Sequence, residues 1–179
     1  GYAVVGTVSG TSISFGTPVV WSTGENATSN IGITYDSNAQ KVVICYKDAN
    51  NSNYGRAIVG TVSGTSISFG SPVNFLAGRA EFQKIVYDTA AQKIVIVYED
   101  TTNLQYGTVI SGTVSGTSIT FDTASVFESA EVEYTIATYD SNAEKVVIAY
   151  RDSANLNKGT SVVYQPAYTS RNLTAENFV

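Results

Sequence analysis

One ten-residue string, which occurs three times, constrains the fold of this chain more than any other feature. The string GTVSGTSISF occupies residues 6–15 and 60–69, and it returns with one substitution at 112–121. The spacing between Gly60 and Gly112 gives a period of 52 residues, and only the first interval, from Gly6 to Gly60, is longer, at 54. Units of this length must stack on one another to bury their apolar faces. The sequence therefore predicts an array of repeats.

A second motif keeps step with the first. A Tyr-Asp pair and a lysine-led apolar string occupy residues 35–48, 87–100 and 139–152. In the first copy, Ile44 and Tyr46 alternate with Val43 and Cys45, so both faces of the predicted strand are apolar. A strand that is apolar on two faces needs a layer on each side. The motif therefore predicts an inner strand of a stacked unit.

The two motifs together predict four strands per repeat, which we label A to D. Strand A ends at the Tyr-Asp pair, strand B is the lysine-led string, and strands C and D flank a hairpin in which Gly10 and its equivalents supply a positive φ. This order and length are typical of a propeller blade. We expect an all-β, propeller-like array of four-stranded antiparallel blades, with a ring that is partial or is completed by oligomerisation.

The repeats also set the predicted domain organisation. A repeat domain spans 1–163, with repeats at about 6–59, 60–111 and 112–163, and residues 164–179 are a linker or the start of a following module. The chain starts at a C strand, and its last repeat stops after a C strand, so the ends leave unpaired edges. Such edges predict self-association. Methionine is absent, so we expect a fragment or a processed product.

Composition excludes several classes of protein. With 43% apolar and 14% charged residues the chain is expected to be globular. Its ten basic residues are scattered and the net charge is -5, so we predict no nucleic-acid partner. No apolar run is long enough to cross a bilayer, so we predict no membrane association. Histidine, the commonest general base and metal ligand, is absent.

Two residue types that occur once are interpreted as packing residues. Cys45 is the only cysteine and corresponds to Val97 and Ala149, which suggests a small apolar slot. Trp21 is the only tryptophan and aligns with phenylalanines of the later repeats, which favours a core aromatic over a ligand platform.

Aspartates recur at two positions of every repeat, and three copies of each suggest either a ring of metal ligands or turn caps. Capping is favoured, because an aspartate at a strand end accepts hydrogen bonds from turn amides and no dense run of oxygen ligands is present. We predict no metal and no cofactor. The positions are Asp36, Asp88 and Asp140, and Asp48, Asp100 and Asp152.

Catalysis is disfavoured, because a catalytic site needs residues in different roles and the aspartates are the same in every repeat. Nucleophile-elbow, P-loop and dinucleotide motifs are absent. We therefore predict no catalytic residues and no enzyme. Only unmatched charged residues of the predicted D–A loops break the repeat symmetry: Glu25, Arg79, Glu81, Glu128, Glu131 and Glu133.

The strings GTVSGTSISFG and YDSNAQKVVICYKD resemble the propeller-like tandem repeats of marine bacteriophage tail and other virion structural proteins. The resemblance covers residues 1 to about 163, and 172–178 resemble the opening of a module that follows such repeats. It implies a structural or receptor-facing part of a virus particle, without a catalytic signature. The implied location is a virion, or the cell surface or extracellular space.

Variation along the chain is concentrated in the predicted D–A loops, 22–30, 76–82 and 128–134, which we expect beside the amide-rich B–C turns. Amides and tyrosines suit sugar hydroxyls and the apolar face of a pyranose. A surface glycan or host receptor is therefore the expected ligand, although polar turns need no ligand to explain them. The candidate ligand-binding residues are Asn53, Tyr54, Asn103, Tyr106, Asn155, Arg79 and Glu131.

Three functions remain open from the sequence. The first is a non-catalytic virion, tail or surface module that is structural or binds a carbohydrate or receptor, with other copies or other virion proteins as partners. The alternatives are a fragment of a carbohydrate-active β-propeller enzyme and a purely structural spacer. The variety of the D–A loops favours binding, whereas the near-identical turns favour the spacer.

Overall fold

The computed structural model describes residues 1–23 and 28–167, and in those ranges it contains strands and turns but no helix. The predicted all-β class is confirmed. Within the same ranges no helix has the length and apolarity that a membrane crossing needs. The strands are β1 (Tyr2–Ala3), β2 (Gly6–Ser9), β3 (Ser12–Phe15), β4 (Val19–Val20), β5 (Thr28–Asp36), β6 (Lys41–Asp48), β7 (Tyr54–Ser63), β8 (Ser66–Phe69), β9 (Val73–Asp88), β10 (Lys93–Asp100), β11 (Tyr106–Ser115), β12 (Ser118–Phe121), β13 (Ser125–Asp140), β14 (Lys145–Asp152) and β15 (Lys158–Tyr164).

Every strand pairing is antiparallel. Eleven strands are connected in the order β15-β14-β13-β11-β10-β9-β7-β6-β5, with β12 on β11 and β8 on β7. This order has two ends, β15 and β5, so the sheet is not closed. Two further two-stranded sheets, β1-β4 and β2-β3, contain the N-terminal residues.

The long strands β9 and β13 each belong to two neighbouring groups of antiparallel strands. The first part of β9 pairs with β7 as far as Arg79, and the second part pairs with β10 from Ala80 onwards. We call these groups units. The first unit is β5 to β8 with the first part of β9, the second is the rest of β9 to β12 with the first part of β13, and the third is the rest of β13 with β14 and β15. The N-terminal piece is β1 to β4.

The predicted hairpin turns are confirmed in all three copies. Their glycines, Gly10, Gly64 and Gly116, have φ of +59° or +60°. In the first unit Ser63 lies opposite Ser66, so the loop has two residues and begins with the glycine. A glycine at the first loop position is typical of a type II′ turn, whose twist matches that of the flanking strands.

Replacing Gly64 with alanine is expected to destabilise the protein by about 1 kcal/mol, because a side chain in the left-handed region is strained. An added Cβ would meet no atom within 4 Å, so the cost isolates the backbone conformation. Gly159→Ala is the matched control, because that site is equally open and its φ is not positive. Urea unfolding of both variants measures the difference, and equal stabilities would contradict the role of Gly64.

The units stack face to face, and the apolar faces of strand B form the contacts. Val43 and Cys45 of β6 are fully buried in one cluster with Ile85 and Tyr87 of β9 and with residues of β10. The second and third units pack in the same way around Val95 and Val97. The prediction that strand B is buried on two faces is therefore confirmed for β6 and β10, whereas β14 is buried on one face only.

An aromatic pair recurs where each D strand meets the next B strand. The ring centroids lie 4.8 Å apart in the first pair and 5.2 Å apart in the other two. The N-terminal piece therefore packs on the first unit as a preceding unit would, and the interpretation of Trp21 as a core aromatic is confirmed. The pairs are Trp21–Tyr46, Phe75–Tyr98 and Phe127–Tyr150.

Glycine permits a close approach between stacked units. A Cβ added to Gly16 would lie 2.0 Å from the carbonyl oxygen of Thr65, and one added to Gly70 would lie 2.0 Å from that of Thr117. The third equivalent is Asp122, and among the described residues the third unit has no hairpin that would pack there. The sequence thus keeps glycine where a hairpin stacks against it.

The prediction of D–A loops at 76–82 and 128–134 is wrong, because both segments lie inside the continuous strands β9 and β13. Phe82 and Tyr134 have φ of 50° and 51°, and the pairing registers shift beside them. Each segment therefore contains a bulge at a left-handed residue inside a continuous strand, and not a loop. Of the unmatched charged residues assigned to loops, all but one lie in these strands: Arg79, Glu81, Glu128, Glu131 and Glu133.

Some predictions fall outside the described residues. These are Glu25 in the first predicted loop and the segment 172–178, which was interpreted as the opening of a following module.

Candidate functional site

The recurring aspartates cap their turns, as predicted. Asp36 accepts hydrogen bonds from the backbone N–H groups of Asn38 and Ala39 at 2.9 and 2.8 Å. Asp48 accepts one from Asn50 at 3.1 Å. The equivalents of both repeat this pattern. In residues 1–23 and 28–167 no group of three or more acidic or cysteine side chains has an arrangement suited to a metal ion.

The B–C turns lie beside the points where β9 and β13 pass from one unit to the next. Thr101 donates hydrogen bonds from its backbone N–H and its hydroxyl to the carbonyl oxygen of Arg79, at 3.2 and 2.9 Å. Ser153 donates to the carbonyl oxygen of Glu131 at 3.2 Å. We call this region the turn end; it comprises residues 49–53, 101–105 and 153–157 with 79–82 and 131–134.

The structure brings four of the predicted ligand-binding residues together in two cross-strand pairs. Tyr54 lies opposite Arg79, and Tyr106 lies opposite Glu131. Both charged residues are exposed and both tyrosines are half-buried. Each pair therefore presents one ring and one charge at the turn end.

The three predicted asparagines lie in separate turns and do not share one repeat position. Asn103 and Asn155 are equivalent, exposed residues, and their backbone N–H groups bond the carbonyl oxygens of Asp100 and Asp152. Asn53 ends its turn with φ of 61°. The predicted residues therefore form a surface that extends over three units.

Glu81 is the most strongly bonded carboxylate at the turn end. It accepts hydrogen bonds from Lys47 at 2.6 Å, from Arg79 at 2.5 Å and from the side chain of Asn30. Burial opposes ionisation, but the hydrogen bonds from Lys47 and Arg79 hold the pKa of Glu81 below its ordinary value. Glu81 therefore stays charged and ties the first unit to the second.

Glu99 lies next to this group and has the opposite character. It is only 4% exposed, and burial raises its pKa to about 7, with Glu131, Glu81 and Glu133 contributing repulsion and a hydrogen bond from Gln105 opposing the shift. Glu99 is therefore a buried carboxyl that gains a proton near neutral pH.

The third unit carries a small charged cleft at the same end. Arg151 donates a hydrogen bond to Glu133, and Gln105 donates one to Glu131 at 3.1 Å. A cleft of about 70 Å³ lies here, lined by Glu131, Glu133, Arg151, Ser153 and Asn157. The cleft is too small for a sugar ring, but its charges are available to groups that project from a larger ligand.

A larger groove, which the sequence did not predict, lies between the N-terminal piece and the first B–C turn. Its volume is about 480 Å³. Arg56 donates a 2.7 Å hydrogen bond to Asp48, and Asn50 donates one at 2.9 Å to the carbonyl oxygen of Thr23. The groove is polar and of a size that suits one or two sugar rings. Its lining comprises Val20, Trp21, Ser22, Thr23, Tyr46, Asp48, Asn50, Asn51, Arg56 and Pro72.

Two residues of these sites were missed by sequence reasoning, although the repeat alignment contains a signal for both. Glu99 takes the position of Lys47 and Arg151, so its charge is reversed. Arg56 takes the position of two threonines in the later repeats. Comparing strand positions as well as loops would have identified both.

A comparison of the chain with protein-family models finds no match, and a comparison with curated proteins finds none either.

Proposed function

We propose that the chain is a non-catalytic module of a virion, tail or cell surface, with units that act as propeller-like blades and a turn end that binds a surface glycan or receptor. Three observations support the blades: the four-stranded antiparallel units, their face-to-face stacking and the recurring aromatic pair. The long strands β9 and β13 join successive blades.

The observation that carries the binding proposal is the contrast between the two ends of the units. The A–B and C–D turns keep nearly the same sequence in every repeat, whereas equivalent positions at the turn end carry different chemistry. Position 79 is arginine and its equivalent is Glu131, and Phe82 is replaced by Tyr134. The polar groove beside Trp21 adds a concave surface at this end. Such a surface suits a ligand that presents many hydroxyl groups.

A glycan array tests this proposal. We expect the unaltered protein to bind a restricted set of glycans, and the combined variant Asn50→Ala, Asn51→Ala and Arg79→Ala to lose at least tenfold in affinity. The matched control is Asn38→Ala with Asn142→Ala, two asparagines of the A–B turns whose structural hydrogen bonds are made by the backbone. Equal binding by all three proteins would contradict the site, and no binding by any would favour a structural spacer.

A fragment of a carbohydrate-active enzyme is the second candidate, and Glu99 is the observation that favours it. Glycoside hydrolysis uses two carboxyl groups, of which the proton donor has a raised pKa. Glu99 has such a pKa, and Glu81, Glu131 and Glu133 are near enough to perturb it. Release of nitrophenol from nitrophenyl glycosides, lost in Glu99→Gln and retained in Glu128→Gln, would establish this candidate in place of the non-catalytic module.

A further inference from the structure

One face of β5 points away from the second unit, and the side chains on this face are apolar and exposed. Ile33 is 64% exposed and Tyr35 is also exposed, as is Ile31. Their equivalents on β9 are buried, with Ile85 only 7% exposed, because the first unit covers them. The N-terminal piece supplies counterparts of strands C and D, and it covers Ile44 and Tyr46 but not this part of β5.

The opposite end of the array has the complementary face. Val43 and Cys45, and likewise Val95 and Val97, are fully buried by the unit that follows them. In the third unit the equivalent residues of β14, Val147 and Ala149, are partly exposed, and Ile136 of β13 is 56% exposed. The third unit therefore presents the strand A and B surfaces that β5 lacks.

The joint between the first and second units shows how these surfaces meet. A Cβ added to Gly32 would lie 3.0 Å from Cγ2 of Ile85, so positions 32 and 85 face each other across that joint. With the 52-residue period, the position of Gly32 becomes Ile136 and that of Ile85 becomes Ile33. Ile136 and Ile33, which are exposed at opposite ends of the array, thus occupy repeat positions that are in contact at the joint between the first and second units.

We propose that a second copy of this chain covers β5, and that the strands β13 and β14 of that copy form the joint. The contact is head to tail, so two joined copies still have one uncovered surface of each kind, and assembly continues until a ring closes or a filament forms. The inference goes beyond ligand binding at the turn end and rests on the stacking geometry alone.

The strand positions define how far this joint extends. Strands β1 and β15 occupy the same repeat position, C, so they compete when two copies meet. The pairing of β1 with β4 has two residues, whereas that of β15 with β14 has seven, so β15 displaces β1 from its place. Asp122 stands where Gly16 and Gly70 admit a hairpin, and its Cβ keeps the partner's β2-β3 hairpin from packing as closely. The joint therefore consists of β5 against β13 and β14, with β15 in the place of the displaced β1 and without the β2-β3 hairpin.

Cysteine cross-linking tests the proposal at one pair of positions. Two proteins are made in a Cys45→Ala background, which Ala149 shows the fold to accept at the equivalent position. One carries Ile33→Cys and the other Ile136→Cys. Each protein has one thiol, so the largest disulfide-linked species that can form is a dimer. We expect the mixture to form a disulfide-linked dimer on oxidation and each protein alone to stay largely monomeric on a denaturing gel. Cross-linking of Ile33→Cys to itself, or none in the mixture, would overturn the proposal.

Light scattering gives an independent test without cysteines. The unaltered protein is expected to have at least twice the monomer mass, and Ile33→Lys with Tyr35→Lys is expected to return it to the monomer. Val8→Lys is the matched control, because Val8 is an exposed apolar residue of the β2-β3 hairpin outside the joint. A monomeric unaltered protein, or equal loss of assembly with Val8→Lys, would contradict the joint. Glycan binding that survives in the monomeric variant would leave the proposed function standing on its own.

Discussion

Glu99→Lys is expected to stabilise the protein by about 2 kcal/mol above pH 7, because it removes a carboxylate whose pKa burial raises to about 7. The other repeats carry a cation at this position. Lys47 forms an ion pair with Glu81 at 2.6 Å, and Arg151 pairs with Glu133. A lysine at position 99 would lie close to the carboxylates that now repel Glu99. The substitution therefore replaces repulsion with attraction.

The pH dependence separates this mechanism from a general gain in packing. Burial raises the pKa of Glu99 to about 7 from an ordinary 4.5, so between these values the folded protein binds more protons than the unfolded chain. The stability contribution of this group is therefore present below pH 4.5 and is lost as the pH rises through 7. Glu99→Gln should be neutral near pH 4 and stabilising at pH 8.

Urea unfolding at pH 4, 6 and 8 measures these effects. Glu81→Gln is the control with the opposite sign, because the pKa of Glu81 is held low by its hydrogen bonds and its charge stabilises the fold at neutral pH. We expect Glu81→Gln to destabilise at pH 8 and to approach the unaltered protein at low pH. If Glu99→Gln were less stable than the unaltered protein at pH 8, the ionised Glu99 carboxylate would have to be stabilised by its neighbours, which contradicts the prediction.

The strands that the sequence predicted best are those with two apolar faces. The bounds of β6 and β14, Lys41–Asp48 and Lys145–Asp152, are the predicted ones. Both strands begin at a lysine and end at a capping aspartate, and the apolar residues between these two define the length of the strand. The hairpin turns were equally predictable, because glycine is the residue that adopts a positive φ at no steric cost.

The continuous strands β9 and β13 were not predictable from composition. Polar, variable residues such as Arg79 and Glu131 usually indicate a loop. Here the chain changes partner strands after Arg79 and after Glu131 without leaving the sheet. A bulge follows at Phe82 and at Tyr134, which adopt a left-handed conformation without being glycine. Phenylalanine and tyrosine do not indicate a positive φ, so this bulge has no sequence signal in the second and third units.

The candidate site was predictable in its location but not in its details. The B–C turns and the variable segments do meet at one end, as the meander order requires. The environment of Glu99 depends on groups from β9, from β13 and from the turn at Gln105, so a raised pKa cannot be deduced from its local sequence. The groove beside Trp21 depends on how the N-terminal piece packs against the first unit, which the repeat pattern alone does not define.

Gln83→Ile is expected to stabilise the protein by about 1–3 kcal/mol, the cost of a buried amide without hydrogen-bond partners. Gln83 is fully buried on β9, and neither its side-chain oxygen nor its nitrogen has a partner. The equivalent residue of the first unit is Ile31, so an isoleucine at this point of a β-strand is compatible with the repeat. The substitution removes two unpaired polar atoms and puts an apolar side chain of similar size in the joint between the units.

Thr135→Val is the matched control for this substitution, because Thr135 occupies the same position in the third unit and donates a hydrogen bond to the carbonyl oxygen of Phe82. Removing that hydroxyl leaves the carbonyl without this partner and should destabilise the protein by about 1 kcal/mol. Thermal and urea unfolding of both variants should therefore shift in opposite directions. A loss of stability in Gln83→Ile would show that the amide is hydrogen-bonded in solution, and its burial would then count as a specific contact between the units.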